Sequence, residues 1–170
     1  MLSAAAVEVF QGLRSRGVRV RISTNSLAST DNLQAFSGYI DQRESLLAMR
    51  LEVFEYQPDP QVQKDVMQRY LALRAEAPIF ALHAKTLVVD RRVVYIGTYN
   101  LDPRSENLNT EVGVVIHDTR QASSVADAID RDMLPGNSWN AAADDPDQFA
   151  SFGKRAKVWC WSWLPLEPLL

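Results

Sequence analysis

The chain has 170 residues, 46% hydrophobic and 23% charged, which is enough for one domain with its own core. The formal net charge of -3 argues against non-specific nucleic-acid binding, which needs a basic face. One cysteine, Cys160, excludes an internal disulfide, and no apolar run is long enough to span a bilayer.

In chain order, Ala4 to Arg16 spaces Ala6, Val9, Phe10 and Leu13 as a helix, and Gly17 suits its end. No secretory signal precedes that helix. Val18 to Ile22 alternates as a strand with one polar face. Ser23 to Asp31, STNSLASTD, reads as a polar loop entering a helix, since Ser, Thr, Asn and Asp favour turns and caps. Asn32 to Arg50 is that helix, burying Leu33, Phe36, Ile40 and Leu47. Leu51 to Tyr56 is apolar on both faces, as an internal strand is. Asp59-Pro60 opens another helix, with Val62, Val66, Tyr70 and Leu73 at helical spacing and Lys64, Arg69 and Arg74 on a solvated face. Pro78 separates this helix from the strand holding His83.

Residues 79–111 read as three strands with polar residues at fixed positions. On a strand, residues two apart share a face. His83 and Lys85 therefore project together, as do Thr98 with Asn100 and Asn109 with Glu111. If those strands are neighbours, imidazole, ammonium, amide and carboxylate meet in one patch. An apolar strand does not bury an ammonium without compensation, which favours a functional Lys85. Asp90 has the opposite parity and belongs to the turn at Asp90-Arg91-Arg92. After Glu111 comes the strand Val112 to Ile116, then a helix from Thr119 to Leu134 with the core stripe Ala122, Val125, Ala126, Ile129 and Met133. Pro135-Gly136 stops it.

Such a patch suits a phosphodiester. Attack on that anion needs positive charge and hydrogen-bond donors on the non-bridging oxygens. Lys85 supplies the charge, and Asn100 and Thr98 the donors. A histidine nucleophile must be neutral, with its far nitrogen held by a carboxylate, and Glu111 is the candidate holder. Arg104, in LDPRSEN, closes a turn or steadies a phosphate. No residues stand at metal-ligand spacing.

The string H-x-K-x4-D (His83, Lys85, Asp90), then x6-G-T-x-N (Gly97, Thr98, Asn100), then N-x-E (Asn109, Glu111), resembles the phospholipase D superfamily. TNSLASTD followed by Gly38-Tyr39 on the next helix, and the ending LPLEPLL, resemble the C-terminal half of bacterial cardiolipin-synthase-like members. Relatives usually carry a glycine turn before the second strand; here Ala48-Met49-Arg50 stands instead. The resemblance implies an α/β fold with a mixed β-sheet flanked by helices on both faces. It implies a catalytic lobe over 1–136, the second lobe of a two-lobed enzyme, with 137–170 as a C-terminal tail packing on the lobe or its partner. It implies a phosphohistidine intermediate, a phosphatidylglycerol-like phospholipid as substrate, and no cofactor, since Lys and Asn do the charge work. Gly97 and Asp90 would be structural in the motif, and Asn25 and Ser26 would line the cleft.

That family uses two H-x-K motifs per active site. The chain's two histidines are His83 and His117, and only His83 has the lysine. The partner is therefore a missing N-terminal lobe or a second copy of the chain. In two-lobed relatives the first motif's histidine is commonly the nucleophile, which would leave His83 as acid and base, worth roughly 10²–10⁴ in rate. Nucleic acid is disfavoured as partner by the acidic balance. The tail's Trp159, Trp161 and Trp163 suit either a lipid interface or packing on protein, and the lack of a basic cluster favours the second. The expected location is cytoplasmic, peripheral to the inner membrane.

Overall fold

The computed structural model describes residues 2–67 and 81–162. The expectations for Arg69, Tyr70, Leu73, Arg74, Pro78 and Trp163 lie outside them.

Helix α1 spans Ala4–Ser15. The Ser3 hydroxyl caps it by accepting the Ala6 N–H at 3.2 Å. Gly17, at φ 77, ends it in the left-handed region that favours glycine. Strand β1 is Arg21–Asn25, three residues later than the alternation suggested. Its parallel partner β2, Glu52–Tyr56, sets the register Arg21↔Glu52 to Asn25↔Tyr56. Val18 is instead committed to the helix end, its N–H donating to Leu13 C=O.

Helix α2, Leu33–Ala48, is capped by Asn32, whose side chain accepts the Ala35 N–H at 3.0 Å. It closes with Arg50 at φ 60 and with Leu51 N–H donating to Leu46 C=O. That left-handed conformation favours glycine, so the chain bears the steric cost of a Cβ there. Helix α3 is Gln61–Met67.

Strands β3, Lys85–Val89, β4, Val93–Gly97, and β5, Gly113–Ile116, form an antiparallel meander. Between β3 and β4, Asp90 and Arg91 take φ 50 and 54, and Arg92 N–H donates to Val89 C=O. Asp is one of the few non-glycine residues that sit comfortably there. Helix α4 is Pro103–Asn107, and α5 is Thr119–Asp132. Strand β6, Ser138–Asn140, pairs antiparallel with β2, and helix α6 is Phe152–Ser162.

The fold is α/β with helices flanking the strands. The strands divide into two three-stranded sheets, β1-β2-β6, which is mixed, and β3-β4-β5. Residues beyond 136 thus supply a strand to the first sheet. Phe10, Leu46, Leu51 and Val53 bury one core between α1, α2 and β2. Leu27, Ala28, Phe36, Ala150 and Val158 bury a second between α2 and α6. A large apolar side chain in either core contributes about 1.5–3 kcal/mol when fully buried. Ala122 of α5 and Val94 of β4 are wholly buried beside the second sheet.

Candidate active site

His83, Lys85, Thr98, Asn100, Asn109 and Glu111 gather at one end of the second sheet, at or just outside the strand ends. Lys85 is the first residue of β3, and His83 precedes it outside any regular element, without a ladder partner. The expectation that both sit on one strand is corrected. The ladder stops because Lys85 pairs with Gly97, the last residue of β4. The same correction applies to Thr98 and Asn100, which follow β4, and to Asn109 and Glu111, which precede β5. His83 is exposed and Lys85 half-buried, its Nζ 3.4 Å from the His83 carbonyl oxygen.

Gly97 and Gly113 face each other across the ladder. A Cβ at Gly97 would stand 2.2 Å from the Tyr95 hydroxyl, and one at Gly113 2.3 Å from the same ring. Both positions need glycine because the Tyr95 phenol lies over them. Tyr95 pairs with Leu87, so it shares its sheet face with Lys85. Tyr95 was not singled out from sequence. The available signal was an aromatic two residues before a glycine on the same face.

Thr98 and Glu111 meet as expected of neighbouring connections. The Thr98 hydroxyl donates to Glu111 Oε2 at 2.5 Å and accepts the Val112 N–H at 3.0 Å. Asn109 Nδ2 donates to Glu111 Oε1 at 3.1 Å. Hydrogen bonds from Thr98, then Asn109, hold the Glu111 carboxyl below its ordinary range, and the Lys85 charge adds to them. In this arrangement the structure brings Glu111 to Thr98 and Asn109 and does not bring it onto the His83 ring.

Asn100 is exposed, and its loop is tied back where Ser3 N–H donates to Leu101 C=O at 2.8 Å. Arg104 lies exposed on α4, and its carbonyl accepts from Leu108 and Asn109. Asp90 lies in the turn at the far end of β3, away from His83.

Asn25 and Ser26 take other positions than the sequence suggested. Ser26 is fully buried, donating to Tyr56 C=O at 2.6 Å and accepting the Ser29 N–H at 3.1 Å. It stabilises the turn beneath the site and is not on a cleft surface. Asn25 Nδ2 donates to Leu82 C=O at 2.9 Å, and Leu82 N–H donates to Asn25 Oδ1 at 2.7 Å. The side chain thus imitates a strand neighbour for the residue before His83, and both its polar atoms are committed.

His83 opens onto a cleft of about 620 Å³. It is lined by Asp31–Gln34 at the entrance of α2 and by Lys157 and Trp161 of α6. Neither α6 residue was assigned to the site from sequence, because a tail helix gives no local sign of where it folds back.

A family model described as "Cardiolipin synthase, PLD-like domain" matches residues 3–133, which hold every motif residue just placed. The chain belongs to that family. It is 32% identical over 176 residues to "Cardiolipin synthase C" of Escherichia coli (strain K12), covering 91% of this chain and 36% of that protein. It is 46% identical over 56 residues to "Cardiolipin synthase 2" of Staphylococcus epidermidis, covering 33% of this chain and 12% of that protein. The chain thus spans about a third or less of the length of these curated relatives. The crystal structure of phosphatidylserine synthase from Haemophilus influenzae Rd KW20 superposes with a TM-score of 0.52 at 14% identity. It covers 98% of this chain and 39% of that one, and supports the fold. Among the described residues no helix is long and apolar enough to cross a membrane.

Proposed function

We propose that this PLD-like domain is one catalytic half of a phosphatidyltransferase of the cardiolipin synthase kind, contributing one of two His-Lys pairs. The observation that carries this reading is that the motif's polar residues other than Asp90 stand at one sheet end. His83 and Lys85 lie beside a Thr98–Glu111–Asn109 network with Asn100 in the next loop.

In the first step one histidine nitrogen attacks phosphorus. A P–N bond forms, the P–O bond to the departing alcohol breaks, and the other histidine protonates that oxygen. In the second, an alcohol or water gives its proton to that same histidine and attacks phosphorus. The P–N bond breaks, and a new phosphodiester leaves when an alcohol attacks or a phosphate monoester when water does. Lys85 and Asn100 stabilise the charge that grows on the non-bridging oxygens, where preorganised donors act most strongly. The donor by this reading is a phosphatidylglycerol-like lipid and the acceptor another lipid headgroup. The second histidine comes from a further lobe or a second copy.

The test is turnover of bis(p-nitrophenyl) phosphate against chain concentration, with His83→Ala alongside. If a second copy supplies the other histidine, activity per chain vanishes on dilution; if a further lobe supplies it, the folded chain alone is inactive at every concentration; in either case His83→Ala is inactive. Activity per chain independent of concentration in a monomeric sample would overturn the two-motif reading. Full activity in His83→Ala would overturn the histidine chemistry itself.

A further inference from the structure

The sheet face that carries Lys85 is otherwise built of Leu87, Val89, Val93, Val115 and the glycines 97 and 113, with one exception. Tyr95 also stands there, and its hydroxyl is the only polar side-chain group besides the Lys85 ammonium that β3, β4 and β5 place on that face. The hydroxyl lies 2.2 Å from where a Gly97 Cβ would be and 2.6 Å from where a Gly113 Cβ would be. The ring therefore runs along the face toward the strand ends. Lys85 is the ladder partner of Gly97. Its side chain thus leaves the same face one strand spacing, about 4.8 Å, from the glycine beneath the phenol oxygen.

A ring laid over two glycines has a plain structural use, since it covers bare backbone. That use explains the ring and not the hydroxyl, because phenylalanine covers glycine equally well. Tyr95 is half-buried, and among the described residues its hydroxyl has no hydrogen-bond partner. Thr98 is the opposite case. A hydroxyl has one proton to give, and Thr98 gives it to Glu111 Oε2 at 2.5 Å. The threonine expected to donate to a phosphate is therefore committed to the carboxylate. The phenol is an uncommitted donor on the face of Lys85, at the same end of the sheet.

We propose that Tyr95 is a further substrate-binding residue of this site, its hydroxyl donating to a non-bridging oxygen of the phosphodiester whose charge Lys85 meets. The inference rests on the phosphoryl-transfer reading above and deepens it, by giving Tyr95 the donor role that the sequence pattern suggested for Thr98. A neutral O–H on an anionic oxygen makes a charge-assisted bond, stronger than one between neutral groups. It adds no second cation beside Lys85.

The test uses the full chain and needs no turnover. Chain carrying ¹³C-labelled lysine and tyrosine is titrated with dimethyl phosphate, and separately with potassium chloride at matched ionic strength. The proteins are the native chain, Tyr95→Phe and Lys85→Ala, which also assign the two signals. Saturable shifts of the Tyr95 ring and the Lys85 ε-carbon are expected with the diester and not with chloride. In Tyr95→Phe the Kd should rise about tenfold or more, the scale of a hydrogen bond to a charged group. The Lys85 signal of free Tyr95→Phe should coincide with the native one. A displaced signal would mean that the hydroxyl shapes the site without touching the diester, and would overturn the proposal. So would native affinity in Tyr95→Phe, shifts that spare Tyr95 or that chloride reproduces, or no saturable binding to the native chain. Binding lost in Lys85→Ala but kept in Tyr95→Phe would sink the tyrosine alone and leave the motif's role standing. Native affinity in both variants would remove the diester from the motif and sink the two readings together.

Discussion

The acidic residue of the motif keeps its charge through two neighbours. Thr98 and Asn109 each aim a donor at Glu111, one at each carboxylate oxygen. A donor to the ionised form favours that form, so the carboxyl titrates below its ordinary value of about 4.3. A depressed acid contributes stability above its unfolded pKa and loses it as pH falls through the folded pKa. For Glu111 that window is acidic, so at neutral pH its charge is constant beside Lys85. Replacing Thr98 with Val keeps the shape and removes the first donor. The Glu111 side-chain titration, followed by ¹³C NMR of its carboxyl, should then move up toward the ordinary range, while Asn109→Ala moves it less. An unchanged titration in Thr98→Val would show that the Thr98 hydroxyl does not hold the carboxylate.

At the next scale, α2, β2 and the turn at Pro146–Phe149 are bolted together through one arginine. Arg43 donates to Glu55 Oε1 at 3.0 Å and to Asp147 Oδ2 at 2.6 Å, and Tyr39 donates to Glu55 at 2.8 Å. Glu55 is fully buried on β2. Burial pushes its carboxyl up, and Arg43 is the largest influence pulling it down. Arg43→Met leaves that carboxylate without its cation, so a loss of about 3 kcal/mol is expected in urea unfolding. A raised acid loses stability as pH rises through its folded pKa, so the loss should be larger at pH 8 than at pH 5. Adding Glu55→Gln should recover most of it. A double variant no more stable than Arg43→Met would show that the buried charge is not the cause. None of this network was visible in the sequence, because Arg43 and Asp147 are 104 residues apart. The helices α2 and α5 were legible, since each turns one apolar stripe inward at helical spacing, whereas in α1 Phe10 is buried and Val9 is 60% exposed. Strand ends were not, because alternation persists where the ladder partner runs out, as at His83. Strand β6 was missed: Ser-Trp-Asn has no period, and only β2 makes it a strand. Ser26 and Asn25 have the residue types of a binding loop, but their roles depend on Tyr56 and Leu82, which are 30 and 57 residues away.

For the molecule as a whole, the motif is divided between what one sheet carries and what the other holds in place. His83, Lys85 and Glu111 belong to the second sheet and its connections, while one cleft wall, Asp31–Gln34, rises from the end of the first. Among the described residues, the polar links between the sheets include one at each end. Asp130 of α5 pairs with Arg21 of β1 at 2.5 Å and with Arg91 of the β3–β4 turn. At the opposite end Asn25 clamps Leu82 by both its amide atoms. The first link is partly exposed, and surface ion pairs contribute little. The second is half-buried and lies next to the histidine. Asn25 therefore sets where His83 stands relative to the cleft wall. Asn25→Leu keeps the bulk of the side chain and removes both hydrogen bonds. Amide exchange at Leu82 should accelerate by more than about tenfold, while β1 and β2 amides keep their protection. Asn25→Asp keeps the acceptor for the Leu82 N–H but sets a carboxylate against the Leu82 carbonyl, so exchange at that amide should fall between the two cases. If β1 and β2 lose protection together with Leu82, the amide is a general brace of the fold. If Leu82 exchanges at the native rate in Asn25→Leu, the clamp does not hold the segment that carries His83, and the position of His83 is set by β3 alone.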